Sequence, residues 1–271
     1  MAGPLSASVT ALLCRTSDRT AASARGAAAL AELLAERVDT TARLVGSPGE
    51  PHEGDWAADL RDSHGCLLEA GGQVEDALSA ERFPILCAGE CSICLTTLPT
   101  VARLVPGVRV LWLDAHGDFN TPATTPTGYL GGMCLAGACG RWRSGFDGKL
   151  DPASLVMVGT RDLDAGEVAQ LDLAGVSRIE RPSDVANAVD GAEVYVHLDL
   201  DVLDPGFFPA RFPVIGGLSD EGLARLLDEV SQAAQRIVGL EVTAFEAPED
   251  DAERSLLAEI AADAIMPLLP F

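Results

Sequence analysis

The sequence predicts an α/β fold, a three-layer α/β/α sandwich around a mainly parallel sheet of about eight strands. Short apolar runs alternate with longer stretches of helical apolar spacing, which is the pattern of repeated βαβ units. Several runs are apolar without interruption, as expected for parallel strands covered on both faces. No repeat, low-complexity tract or linker divides the 271 residues, so we expect a single domain over residues 1–271.

Eight segments are predicted strands, and three helices are the clearest. The strands are 8–14, 41–46, 83–89, 108–115, 154–160, 176–180, 193–199 and 236–242. The helices are 23–38, 222–235 and 251–269, each with apolar residues three and four positions apart. Open parallel sheets carry their sites at the carboxyl ends of the strands, so the residues that follow these strands are the candidates for function.

Composition restricts the partners and the location. The formal net charge of -22 opposes binding to nucleic acid or anionic membranes, and it is compatible with metal ions or a cationic small substrate. The seven cysteines lack the spacing of a disulfide framework. Neither a basic leader nor an apolar stretch of membrane-spanning length occurs, so we expect a reduced, cytoplasmic protein.

Three predicted strands end in motifs that can bind metal: AGECS (88–92), DAHGDFNTP (114–122) and HLDLDVLDP (197–205). Alternate side chains of an extended segment point to the same side, so Asp114, His116 and Asp118 can converge on one point. Asp199 and Asp201 can do the same. Converging carboxylates repel unless cations neutralise them, and mixed oxygen and nitrogen ligands suit Mn²⁺. A single D-x-D is as often a turn or cap, but two such sets after apolar strands favour a metal centre.

These motifs resemble the signature segments of the ureohydrolases, the family of arginase and agmatinase. AGECS lies where the family has Gly-Gly-Asp-His-Ser, and VGTRDLDAGE (158–167) and PVIGGLS (213–219) also match. The resemblance extends over about residues 84–250. It implies a hydrolase with two Mn²⁺ that cleaves guanidine carbon–nitrogen bonds by attack of a metal-bridging hydroxide.

The resemblance also implies the metal ligands. The first metal would bind Cys91, Asp114, Asp118 and Asp199, and the second would bind Asp114, His116, Asp199 and Asp201. Cys91 stands where the family has histidine, and its thiolate is a softer, negatively charged ligand. The alternatives for Cys91 are a buried structural cysteine or a thioredoxin-type pair with Cys94, which would leave the other motifs unexplained. We expect His197 to pack in the sheet.

Two further departures from the family concern the reaction. Gly131 lies where arginase has a proton-shuttling histidine, and Ala244 lies where the family has the glutamate that holds the guanidinium. Glu246 could replace that glutamate only if the loop is rebuilt. The guanidinium of arginine is essentially always charged, whereas the hydroxyl group of an N-hydroxyguanidine lowers its basicity. These departures favour Nω-hydroxy-L-arginine as substrate, and they leave the proton donor to the leaving amine unknown.

The resemblance implies an amino-acid substrate. Asn120, Thr125 and Thr127 match the residues that bind the α-carboxylate in arginase, and Asp164 and Glu167 match those that bind the α-amino group. Ordinary loop capping is the alternative for these five. Their joint presence favours an amino acid over agmatine, which has no carboxylate.

Cys91 and Gly131 together most resemble family members that act on Nω-hydroxy-L-arginine in D-cycloserine biosynthesis, which implies L-ornithine and hydroxyurea as products. The alternatives are another ureohydrolase (arginase, agmatinase or a guanidino-acid hydrolase), a catalytically weak metal-binding homologue, and a zinc deacetylase on a related fold. The double aspartate set fits a zinc deacetylase less well. Arginases that form trimers have a tail beyond the last core helix; this sequence stops at MPLLPF, so we expect a monomer.

Overall fold

The computed structural model describes residues 6–270 and confirms the predicted α/β class and all eight strands. The strands are Ala7–Leu12 (β1), Arg43–Val45 (β2), Phe83–Cys87 (β3), Arg109–Leu113 (β4), Leu155–Val158 (β5), Ser177–Ile179 (β6), Glu193–Asp199 (β7) and Arg236–Thr243 (β8). They form one sheet in the order β2-β1-β3-β8-β7-β4-β5-β6, and every pairing is parallel.

Helices cover both faces of this sheet, as in the predicted sandwich. Within residues 6–270 the α-helices are Ala22–Arg37 (α1), Trp56–Asp62 (α2), His64–Ser79 (α3), Cys94–Leu104 (α4), Cys134–Ala138 (α5), Ala165–Ala174 (α6), Val185–Val189 (α7), Asp220–Ala233 (α8) and Asp251–Ile265 (α9). One apolar core packs α1, α7, α8 and α9 on the sheet, and the other packs α3, α4, α5 and α6. None of the helices in this part of the chain is long and apolar enough to span a bilayer.

The last helix is shorter than predicted. It ends at Ile265 and continues as a 3₁₀ turn, Met266–Leu268, rather than as α-helix to residue 269. Pro267 explains the difference, because proline has no backbone N–H for the next helical hydrogen bond.

Cys14 and Cys66 form a disulfide, with their Cα atoms 6.1 Å apart and a sequence separation of 52. The expectation of an entirely reduced chain is therefore wrong for this pair. Sequence spacing gave no sign of it, because the loop after β1 and helix α3 meet only through tertiary packing. The other five cysteines are free and buried.

The sheet order creates a site at its centre. The chain passes from β3 through α4 to β4, and β8 and β7 later fill the gap between these two strands. Ligands in open α/β sheets bind where the strand order reverses, beyond the carboxyl ends of the strands. Here that edge is formed by the ends of β3, β8, β7 and β4.

Candidate functional site

A cavity of about 720 Å³ opens at this edge, and all of the residues predicted as metal or substrate ligands line it. They are Cys91 after β3, Asp114, His116, Asp118, Asn120, Thr125 and Thr127 after β4, Asp164 and Glu167 after β5, and Asp199 and Asp201 at the end of β7. Residues far apart in sequence are thus brought to one place.

His116 lies among carboxylates. Its Nδ1 is 2.9 Å from Asp201 Oδ2 and 3.4 Å from Asp114 Oδ1. Backbone N–H groups hold both acids, since Ala115 donates to Asp201 Oδ1 at 3.0 Å and His116 donates to Asp114 Oδ1 at 2.6 Å. The three side chains offer ligand atoms within 4.8 Å of one another, so this group could hold a metal ion.

The pKa values reflect this crowding. Burial and the charge of Asp201 raise the pKa of Asp114 to about 6. Burial alone would lower the pKa of His116, but its hydrogen bonds to Asp114 and Asp201 raise it to about 12. Burial would raise the pKa of Asp201, yet His116 outweighs burial and the pKa is lowered. Without other cations, the imidazole is the group that neutralises this part of the cluster.

Cys91 lies beside a second carboxylate. Its Sγ is 2.8 Å from Asp199 Oδ2 and 3.9 Å from Asp114 Oδ2. Asp199 in turn accepts the N–H of Asp201 at 2.7 Å. Burial, and then the charges of Asp199 and Asp114, raise the pKa of the Cys91 thiol well above its ordinary value.

Asp118 is held in a strained conformation. Its φ is +49°, in the left-handed region that few non-glycine residues adopt, although aspartate adopts it more often than most. The N–H groups of Leu135 and Ala136 in α5 hold its carbonyl at 3.0 and 3.2 Å. Such strain persists where the surrounding structure enforces it, and it clusters at functional sites.

The donor set fits divalent cations. Asp114, Asp118, Asp199 and Asp201 are all buried, with exposed fractions of 1 to 7%. Burial raises the pKa of Asp118 and Asp199 well above the ordinary value, so a charged cluster is costly without neutralisation. Oxygen, nitrogen and thiolate ligands together suit a first-row transition metal.

His197 packs in the sheet as expected, and it also lies against a predicted ligand. His197 Nε2 lies 3.3 Å from Cys91 Sγ, and the two side chains, with Asp114, form a second group whose ligand atoms lie within 4.8 Å. The sequence signal was its position two residues before Asp199, since alternate strand residues face the same side.

The predicted substrate ligands also cap loops, so both interpretations apply to them. Asn120 Nδ2 donates to Asp164 Oδ2 at 3.0 Å, and Glu167 accepts from the N–H groups of Phe119 at 2.7 Å and Asp164 at 3.3 Å. The hydrogen bonds at the start of α6 therefore hold the carboxyl groups of Asp164 and Glu167 at the cavity wall. Burial raises the pKa of Glu167 to about 7.

Thr125 and Thr127 accept backbone N–H groups, from Gly128 at 3.0 Å and from Tyr129 at 3.2 Å. A hydroxyl that accepts keeps its own proton to donate. Both can therefore still donate to an anionic group in the cavity.

Tyr129 fills the space beside Gly131. A Cβ at position 131 would lie 2.5 Å from Tyr129 Cε1, so the ring occupies the volume that a side chain there would need. The Tyr129 hydroxyl is buried, and it makes no hydrogen bond to any residue between 6 and 270. Phe212 packs 5.3 Å from the same ring and narrows the cavity.

Neither Ala244 nor Glu246 is among the described residues that line the cavity. Ala244 adopts φ +62°, and Glu246 accepts the hydroxyl of Thr20 at 2.7 Å. Glu246 is thus engaged elsewhere and does not replace the family's guanidinium-binding glutamate in this conformation.

Sequence reasoning assigned no role to five charged residues of the cavity wall: Arg19, Glu53, Glu90, Asp162 and Arg211. Glu90 is only 6% exposed, yet it lines the cavity directly before Cys91. Burial, and then the charge of the Asp18 carboxylate, raise the pKa of Glu90 well above the ordinary value. Arg19 stacks 4.9 Å over the Tyr129 ring, and Arg211 lines the same cavity. Only the position of Glu90 within AGECS could have indicated it.

Comparison with known proteins agrees with this site. A sequence model described as the arginase family matches residues 51–269. An Nω-hydroxy-L-arginine amidinohydrolase from Streptomyces lavendulae is 37% identical over 258 residues, which cover 93% of each chain. An arginase from Brevibacillus brevis is 38% identical over 168 residues, 54% of this chain and 56% of that protein.

Solved structures share the fold. The arginase of Bacillus caldovelox superimposes with a TM-score of 0.79 at 26% identity, covering 99% of this chain and 98% of that one. The arginase of Bacillus subtilis gives 0.81 at 25% identity, covering 98% of each. With the matched family model and the long alignment to the Streptomyces enzyme, these likenesses lead to one conclusion: the chain belongs to the arginase family.

Proposed function

We propose that this chain binds two Mn²⁺ and hydrolyses Nω-hydroxy-L-arginine to L-ornithine and hydroxyurea. As a member of the arginase family, it is a hydrolase of amidine carbon–nitrogen bonds. The observation that carries the finer proposal is the Tyr129 ring beside Gly131, because it takes the volume that a side chain at position 131 would need, and the family resemblance puts arginase's proton-shuttling histidine at that position. The likeness to the Streptomyces lavendulae enzyme supports the same substrate.

Two ligand sets would hold the metals. Cys91, Asp114, Asp118 and Asp199 would form the first set, and Asp114, His116, Asp199 and Asp201 the second. Bound divalent cations lower the pKa of water and so supply a nucleophile near neutral pH. The buried acids hold these cations, and His116 must give up its proton to serve as a ligand.

The amino-acid end of the substrate would lie against the loops after β4 and β5. Thr125 and Thr127 have hydroxyl protons to donate to the α-carboxylate, and Asn120 retains a second amide proton. Asp164 and Glu167 would pair with the α-ammonium group. This arrangement requires both charges of an amino acid, which agmatine does not have.

The N-hydroxyguanidine end would lie towards Glu90. Its carboxylate is buried at the cavity wall next to Cys91, and the family's usual carboxylate is absent at Ala244. The oxygens of a carboxyl group at the cavity wall can accept hydrogen bonds from a bound donor. Glu90 is therefore the group that would accept hydrogen bonds from the N-hydroxyguanidine.

A substrate panel tests the proposal. Protein loaded with Mn²⁺ should release ornithine and hydroxyurea from Nω-hydroxy-L-arginine, and it should release little urea from arginine, agmatine or 4-guanidinobutyrate. Asp201→Asn should abolish turnover by removing a ligand, whereas Asp228→Asn on the outer helix α8 should not. Preferred turnover of arginine or agmatine would contradict the proposed substrate, and failure with every amidine would favour a catalytically weak homologue.

Three further expectations stay predictions: a monomer, a cytoplasmic location, and a role in hydroxyurea supply for D-cycloserine-type biosynthesis. Gel filtration with light scattering tests the first. Co-expression of this chain with a hydroxyarginine-forming enzyme, followed by assay of hydroxyurea, tests whether it can supply that product.

A further inference from the structure

A buried polar group lies directly beneath Cys91. His197 and Glu241 are partners in the register of β7 and β8, and both are fully buried in the sheet. Neither belongs to the ligand sets described above. Buried charged or polar pairs inside a sheet are costly, so a specific role is expected for them.

The imidazole of His197 has a single orientation. Its Nδ1 is 2.6 Å from Glu241 Oε1, and its ring stacks on Trp112 with centroids 3.6 Å apart and planes 2° apart. The Tyr195 hydroxyl donates to the other oxygen of Glu241 at 3.1 Å. Three neighbouring strands, β4, β7 and β8, thus fix the ring.

The free nitrogen of this ring is directed at the sulfur. His197 Nε2 lies 3.3 Å from Cys91 Sγ, and Thr243 Oγ1 lies 3.1 Å from the same atom. On its other side the sulfur faces Asp199 Oδ2 at 2.8 Å. Cys91 lines the cavity, whereas His197 is not among the described residues that do, so the sulfur separates the ring from the cavity.

We propose that Glu241 and His197 form a positioning pair for Cys91, holding its sulfur towards the metal through a hydrogen bond and moderating its donor strength. The inference rests on the proposed metal site. Hydrogen bonds to ligand atoms fix their orientation and tune the metal, and removing them costs about 10- to 100-fold in metal affinity or activity. A histidine ligand is oriented through its second ring nitrogen, whereas a cysteine has only its sulfur, so a hydrogen bond that orients it must be made to the ligand atom itself.

Cobalt substitution gives a readout besides activity. Co²⁺ bound to a thiolate has a sulfur-to-metal charge-transfer band in the near ultraviolet, and Cys91→Ser should remove it. In His197→Gln the band should persist but shift, and the affinity for one Co²⁺ should fall about 10- to 100-fold. Glu241→Gln should shift the band in the same direction but by less. Glutamine has the shape of glutamate, but it makes a weaker hydrogen bond to the imidazole of His197.

The outcomes separate the two proposals. A wild-type band that stays unchanged, in energy and affinity, in both His197→Gln and Glu241→Gln overturns the positioning pair and leaves the metal site intact. A wild-type protein that binds Co²⁺ without any thiolate band overturns cysteine ligation, and the positioning pair with it. Loss of one whole Co²⁺ in His197→Gln, with an unshifted thiolate band, would make His197 a direct ligand instead. Glu241→Gln keeps the test valid if His197→Gln does not fold.

Discussion

His116 Nδ1 lies 2.9 Å from Asp201 Oδ2, which makes this imidazole the cation of the buried acid cluster. The protonated His116 imidazole therefore lies where a second metal ion is proposed to bind. This relationship has a direct consequence for how the metal-free protein responds to pH.

Metal-free protein should become less stable as pH rises. The folded-state pKa of Asp114 is about 6 against an ordinary 3.8, so its stabilising contribution is complete below pH 3.8 and is lost as pH rises through 6. The pKa of His116 is raised to about 12, so its contribution is complete below pH 6.5 and declines above it. Between its unfolded-state and folded-state pKa, each group changes the free energy of unfolding by at most about 1.4 kcal/mol per pH unit.

Thermal unfolding from pH 5 to pH 8 checks this prediction. The unfolding temperature should fall in the metal-free protein, and added Mn²⁺ should raise it more at pH 8 than at pH 5, because protons compete for the ligands. His116→Asn should remove the part of the slope above pH 6.5. A Mn²⁺ effect of equal size at both pH values would contradict proton competition.

Gly131→Ala should destabilise the fold by about 1–3 kcal/mol, because the new Cβ would lie 2.5 Å from Tyr129 Cε1. Gly132→Ala is the matched control, since its Cβ meets nothing within 4 Å. Chemical denaturation measures both. In a Tyr129→Ala background the cost of Gly131→Ala should shrink, and an undiminished cost would show that the ring is not the obstacle.

Asp164→Asn should raise the KM for hydroxyarginine about tenfold and change kcat little, because it removes a charge that pairs with the α-ammonium group. Asparagine is as good a helix N-cap as aspartate, so α6 should keep its start. Steady-state kinetics with the N-acetylated substrate as a comparison measures the effect. An equal KM in the wild type and the variant would remove Asp164 from substrate binding.

Glu90→Gln should weaken binding of the N-hydroxyguanidine about tenfold, equivalent to about 1.4 kcal/mol, while the bound metal stays the same. Glu90→Asp keeps a carboxyl group on a shorter side chain, so its affinity for the N-hydroxyguanidine should lie between those of the wild type and Glu90→Gln. Competition binding with a hydroxyguanidine inhibitor, alongside elemental analysis, separates the two effects. Loss of metal in Glu90→Gln would instead assign Glu90 to the metal centre.

Breaking the Cys14–Cys66 disulfide should lower the free energy of unfolding by about 2–4 kcal/mol, because the bond closes a loop over 52 residues of sequence. Cys66→Ser and reduction of the wild type should have the same effect. Thiol labelling after denaturation should count five free cysteines before reduction. Seven would mean that the bond does not form in solution.

The sheet and the ligand positions followed from the sequence because both depend on local patterns. Apolar runs mark the buried strands, and Asp114, His116 and Asp118 occupy alternate positions after one of them. The contacts between separate segments depend on tertiary packing and could not be predicted from local patterns. The Cys14–Cys66 bond joins residues whose proximity only the folded chain creates, and the direction of the Tyr129 ring across Gly131 depends on the local turn. His197 packs in the sheet as expected, but its contact with Cys91, which lies in the turn after β3, could not be predicted from sequence for the same reason.

The central place of β7 and β8 also has a consequence for biosynthesis. Both strands that complete the middle of the sheet are made late, after β3 and β4 have left the ribosome with Cys91 and Asp114. A nascent chain that ends before about residue 201 lacks two of the four aspartates proposed as metal ligands. It also lacks strand β8, so the sheet has a gap next to β3. If the proposed metals bind, their loading would be a late step in maturation, and truncated translation products would be fragments with exposed strand edges.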